Sequence, residues 1–138
     1  DIVVTLAGAT DELVAGGTSW TGVDQTTPTG TAATATGSST SATVNVSSAA
    51  GEVVVDCVYL PATAITVGAS QTSRWERDDI GASGNSGGSS SEAGAGTVTM
   101  SWTHDNKDWC IGAIPLKPAG AAAGYRRRSS ESACWSRR

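Results

Sequence analysis

Phenylalanine is absent from this 138-residue chain, and methionine and histidine occur once each. Without Phe, the five Trp are the bulky aromatics left to fill a core or line a surface. A single His, His104, leaves no pair of imidazoles, and the three Cys are scattered, so no zinc ligand set is present. His104 falls in a polar stretch, His104–Asp108, that reads as a solvated turn, and no Gly-x-Ser-x-Gly elbow accompanies it. Charged residues make up only 16% of the chain, so its polarity comes from Thr, Ser and Gly, which suit strands and turns and disfavour helices. No apolar run reaches the roughly 18 residues of a membrane-spanning helix. The Gly-rich stretch 81–96 lacks the Lys and following helix of a phosphate loop. These absences remove most catalytic machinery, and the expectation is a protein that is not an enzyme and carries no cofactor.

What the chain does have is Thr, Ser, Gly, Ala and Val. β-Branched residues favour strands and Gly favours turns. The residues predict strands at Ile2–Leu6, at Glu12–Trp20 with a bulge at Gly16-Gly17, at Ala42–Ser47 and at Glu52–Leu60. Further strands are expected at Ala64–Val67, Gln71–Glu76, Thr97–Thr103 and Trp109–Leu116. Residues 21–41 read as loop with at most a weak edge strand, and 80–96 as a flexible surface loop. Glu52–Leu60 is apolar on both faces and reads as a central strand. The last two strands read as a hairpin turning at His104–Asp108. Val44, Val46, Val98, Met100 and Trp102 have inward parity. Together these features predict an all-β fold: an antiparallel β-sandwich, jelly-roll or Ig-like, of about seven to eight strands. Residues 1–118 form the expected domain, and 119–138 an Ala/Gly linker with an Arg-rich tail.

The charge is unevenly spread. Residues 1–118 hold four basic and twelve acidic residues, a balance of −8, whereas 119–138 hold five Arg and one Glu, a balance of +4. An acidic body argues against nucleic acid as its partner. Arg126, Arg127 and Arg128 are candidate contacts to the acidic body of a neighbour, against the plainer reading of a solubilising tail. Trp20, Trp75 and Trp109, with Arg74 and Glu76, are candidates for stacking and bonding a polysaccharide, against the plainer reading of core filler. Asp78 and Asp79 with Asn85, and Asp105 and Asp108 with Asn106, are weak candidates for calcium, against simple turn chemistry. Cys57 and Cys110 are a disulfide candidate, against two small residues that never meet, and Cys134 is left over. The chain starts at Asp1 inside an alternating apolar run, which suggests a processed product or a fragment.

Six segments follow one another in a distinctive order: Trp20-Thr-Gly-Val-Asp-Gln-Thr-Thr-Pro28, Ala49-Ala-Gly-Glu-Val-Val-Val-Asp56, Gly68-Ala-Ser-Gln-Thr-Ser-Arg-Trp75, Ser91-Glu-Ala-Gly94, Val98-Thr-Met-Ser-Trp102 and Ile114-Pro-Leu-Lys-Pro118. This order resembles a β-sandwich module of large secreted, surface and phage-like bacterial proteins, over roughly residues 2–118. The resemblance implies a place outside the cell and no catalytic residues. It also implies that strands precede Ile2–Leu6, so that the fold is completed by a strand from another chain, with Ile2, Val4 and Leu6 as assembly contacts. Two functions follow as expectations. One is a structural subunit of a self-assembling filament or of a virion or cell surface, homo-oligomeric or polymeric. The other is a carbohydrate-binding or adhesive module of a secreted glycoside hydrolase.

Overall fold

The computed structural model describes residues 3, 5, 7, 8, 13–79 and 84–120. The expected strand Ile2–Leu6, the Arg126–Arg128 cluster and Cys134 lie wholly or partly outside the described residues. Six strands form: β1 (Ala33–Ser47), β2 (Val53–Pro61), β3 (Ile65–Val67), β4 (Thr72–Arg77), β5 (Asn85–Ala93) and β6 (Thr97–Leu116). All pairings are antiparallel, in one sheet of order β1-β6-β2-β5-β4, with β3 on β6 off that path. The all-β antiparallel architecture is as the sequence predicts. Where seven or eight strands in a sandwich were expected, the described residues form six strands in a single sheet.

Four expectations are corrected by the structure. Residues 104–108 do not turn; β6 runs through them as a 20-residue strand. The polar residues sit at an irregularity in the β1–β6 ladder, where Ser39↔Lys107 and Ser41↔Thr103 are consecutive pairs. Two residues of β1 span four of β6, so turn-forming residues are absorbed as a bulge. The shift switches parity on both strands, which keeps Ala35 and Ile111 on the same inner side as Ala42 and Trp102. Second, the stretch 21–41, read as loop with at most a weak edge strand, is loop only as far as residue 32; from Ala33 it is the first half of the long edge strand β1, whose Thr/Ser/Ala alternation is a strand pattern without large apolar side chains. Third, β5 (Asn85–Ala93) lies inside the region read as a flexible loop and has six consecutive buried residues. Fourth, the stretch 13–20, read as strand, has no strand structure.

β6 explains how one sheet encloses a core. Its first half bonds to β3 and its second half to β2, while β1 follows its whole length. Trp102, in the first half, reaches back to Asp56 of β2 and lies against Gly88 of β5. The sheet therefore curls over its own inner face. Ala42, Val44, Val46, Val54, Val58, Leu60, Ile65, Val98, Met100, Trp102, Ile111 and Ala113 fill the interior. Bulky Trp102 is balanced by the smallest partners: a Cβ on Gly88 would lie 2.7 Å from the Trp102 ring and 3.2 Å from Ile65 Cδ1. Between β1 and β2 the chain turns at Gly51, at a φ of 89°, closed by the Glu52 N–H donating to the Ala49 carbonyl.

The core also holds an ionisable side chain. Asp56 has the inward parity of Val54, Val58 and Leu60 and is only 3% exposed. Its Oδ1 accepts the Ser90 N–H at 2.5 Å and the Ser90 hydroxyl at 2.9 Å. Its Oδ2 accepts the Trp102 indole N–H at 2.8 Å and a longer contact from Gln71 Nε2 at 3.5 Å. Gln71 in turn donates to Ser90 Oγ at 2.6 Å and accepts the Ser101 N–H at 2.8 Å. One carboxylate thus ties β2, β5 and β6 together. Ser86 does the same on a smaller scale, donating to the Thr63 carbonyl and accepting the Asp79 N–H at 3.1 Å.

Candidate functional site

The outer face of the sheet carries the concave feature. One row crosses five strands: Thr34 of β1 pairs with Gly112 of β6, Gly112 with Cys57 of β2, and Ser89 of β5 with Trp75 of β4. Cys57 falls opposite Ser89, between the pairs Val55↔Ser91 and Val58↔Gly88. The middle of this row is built from the smallest side chains, and larger ones flank it. The result is a cleft of about 440 Å³ floored by Gly112, Cys57 and Ser89 and bounded by Thr34, Val55, Ile114 and Trp75. The stretch 13–20 passes along it as a strap: Gly16 packs directly on the Trp75 indole, and Thr18 lines the rim. Gly16 is required there, because any side chain would enter the ring.

Among the described residues, Asp56 is the only acidic or basic one that lines the cleft. Its carboxylate is bonded inside the core. Burial pushes the Asp56 carboxyl above the usual carboxylate range, and the donors from Ser90 and Trp102 only partly offset that. The Cys57 thiol is likewise pushed up, first by desolvation and then by the nearby Asp56 and Cys110, so it is held as a thiol rather than a nucleophilic thiolate.

The candidate sugar-binding residues are not gathered into one platform. Trp20 donates its indole N–H to Thr18 Oγ1 at 3.0 Å, and the Arg74 guanidinium lies 4.8 Å from its ring centroid. Arg74 also donates to Ser91 Oγ at 2.7 Å. Glu76 is exposed and accepts the Ser73 hydroxyl at 3.2 Å. Trp75 lies in the cleft under Gly16. Trp109 packs on Gly37, donates to Ser39 Oγ at 2.9 Å, and lines a separate depression of about 180 Å³ with Tyr59, Pro61, Asp108 and Cys110.

No protein-family model, curated protein or solved structure matches this chain.

The remaining candidates are placed as follows. Cys57 and Cys110 carry free thiols. They share a face, but Cys57 is opposite Gly112 and Cys110 opposite Tyr59. That makes them diagonal neighbours, and diagonal Cα atoms roughly 7–8 Å apart exceed the reach of a relaxed disulfide. Asp78 accepts the Ile65 N–H at 3.1 Å, Asp79 pairs with Arg77 at 3.1 Å, and Asn85 accepts the Tyr59 hydroxyl at 2.6 Å. Asp105 Oδ2 takes a long contact from the Thr63 hydroxyl at 3.4 Å. Among the described residues no three His, Cys, Asp or Glu side chains come together as a metal site. His104 lines neither depression; its Nδ1 faces the Asp105 carbonyl at 2.6 Å and its Nε2 is buried without a partner among the described residues.

Sequence reasoning missed the Asp56 network and the cleft. The first had a visible signal: an Asp at an inward position of an otherwise apolar strand must be bonded inside. The second had none, since the row exists only once five strands are in register.

Proposed function

We propose that this chain is a non-catalytic structural module that assembles by strand addition along β1, as a subunit of an extracellular filament or of a cell or virion surface. The observation that carries this is the free edge of the sheet. β1 pairs with β6 on one side, and no described strand covers its other side. It is 15 residues long and contains no charged residue and no Pro. Edges that must stay single are usually short or guarded by Lys, Pro or inward charges; this one is interrupted only by the shift at Ser39–Ser41. Such an edge supports pairing with another chain through its main-chain groups, with Thr and Ser side chains forming cross-strand pairs. The acidic body and the Arg126–Arg128 cluster support head-to-tail contact in the same assembly. The alternating Ile2, Val4 and Leu6 are the chain's own candidate donor strand, and the order of sequence motifs supports a place outside the cell. The polysaccharide reading has less behind it, because the Trp20 ring already meets Arg74 and the Trp75 ring meets Gly16.

Sedimentation velocity on the full chain is the test. The wild type is expected to run as dimers or larger species that grow with concentration. Thr43→Lys with Ser47→Lys places two charges on exposed β1 side chains and is expected to give a monomer with unchanged circular dichroism and melting temperature. A wild-type chain that stays monomeric at every concentration overturns the proposal.

A further inference from the structure

We infer that the outer-face cleft is a binding site for one small, neutral, mainly apolar ring compound bearing an oxygen acceptor. The size is that of a small-molecule pocket, a few hundred Å³ lined mostly by apolar atoms with a few polar groups. The vacancy is built in rather than imposed by backbone sterics. Gly112 is not among the glycines with positive φ, and a Cβ on it would meet only Thr34 Cγ2 at 3.7 Å and the Ala33 carbonyl at 3.9 Å, ordinary contacts. The missing side chain leaves open floor between Thr34 and Cys57.

The polar groups around that floor define the ligand. The Trp75 indole N–H has no hydrogen-bond partner among the described residues, although every other Trp indole described in the sheet and its strap (Trp20, Trp102, Trp109) has one. The Thr18 oxygen already accepts from Trp20, which leaves its O–H to donate. Trp75 and Thr18 both line the cleft, and the indole N–H is not sealed from solvent, so an acceptor oxygen can take the place of water there. Among the described residues no charged group other than the core-bonded Asp56 lines the cleft, so an anion or cation would lose its hydration without a counter-charge there. A sugar, with a hydroxyl on nearly every carbon, would bury more polar groups than these few side chains can satisfy. A flat aryl ring carrying one carbonyl fits both the floor and the rim.

Equilibrium dialysis of the full chain against acetophenone tests this, with benzoate as the charged counterpart and methyl β-glucoside as the sugar. The expected result is saturable uptake of one acetophenone per chain, with both counterparts at least about tenfold weaker, the equivalent of about 1.4 kcal/mol. Gly112→Leu fills the floor and should abolish uptake while the melting temperature holds. Should that variant not fold, Thr34→Tyr blocks the cleft from the exposed β1 wall and should abolish uptake in the same way. Equal uptake of benzoate or glucoside, no saturable uptake of acetophenone, or undiminished uptake by a folded cleft-filling variant overturns the inference.

Discussion

Asp56→Ala is expected to lower the unfolding free energy by about 3–5 kcal/mol, read as the urea midpoint at constant m-value. The substitution removes the acceptor of the Ser90 N–H, the Ser90 hydroxyl and the Trp102 indole N–H at once. None of these donors has water to turn to, because Ser90 and Trp102 are fully buried. Against a typical domain stability of about 5–15 kcal/mol, that loss is a large fraction of the whole. Asp56→Asn is not a rescue, since its amide would point N–H groups at N–H donors. The pH dependence has a definite sign. Burial raises the folded-state pKa of Asp56 above its unfolded value. Its proton-linked stabilisation is therefore fully present below the unfolded value and is lost as pH rises through the folded one. The stability gap between wild type and Asp56→Ala should narrow as pH rises from acid toward neutral. A gap that widens over that range would show that the donors, not desolvation, set this carboxyl.

Gly88→Ala is expected to cost about 2–3 kcal/mol although it adds only a methyl group. The new Cβ would stand 2.7 Å from Trp102 Cη2 and 3.1 Å from Cζ3. A flexible side chain would yield, but this ring is fully buried and its N–H is held by Asp56 at 2.8 Å. Moving the ring stretches that bond, so the steric and polar costs are coupled. The check is a double-mutant cycle with Trp102→Phe, which shortens the side chain. The pair should be less destabilised than the sum of its members. Additive effects would mean that Gly88 is sensitive for some reason other than the indole.

Legibility differed from element to element. The parity of Val44, Val46, Val98, Met100 and Trp102 was readable because each lies in a strand whose alternation is unbroken by turn residues. β5 was not readable: Asn-Ser-Gly-Gly-Ser-Ser-Ser has the composition of a flexible linker. It is a buried strand because its neighbours supply what its own side chains lack. β2 and β4 pair its backbone, Asp56 and the Thr63 carbonyl satisfy its hydroxyls, and Trp102 needs its glycine. The polar run His104–Asp108 misled in the opposite sense, because turn-forming residues are equally at home in a bulge when a long partner strand continues past them.

From the residues alone came the all-β class, the strand assignment of the strongly alternating segments, the acidic body and the shortage of side chains that do chemistry. All of these rest on composition or on local periodicity, which a linear chain displays. The single curled sheet, the buried carboxylate with its three donors, the uncharged free edge and the cleft were decided in three dimensions. Each depends on which residues face one another across strands far apart in the chain, and hydrogen-bond register between such strands leaves no periodic trace in either of them.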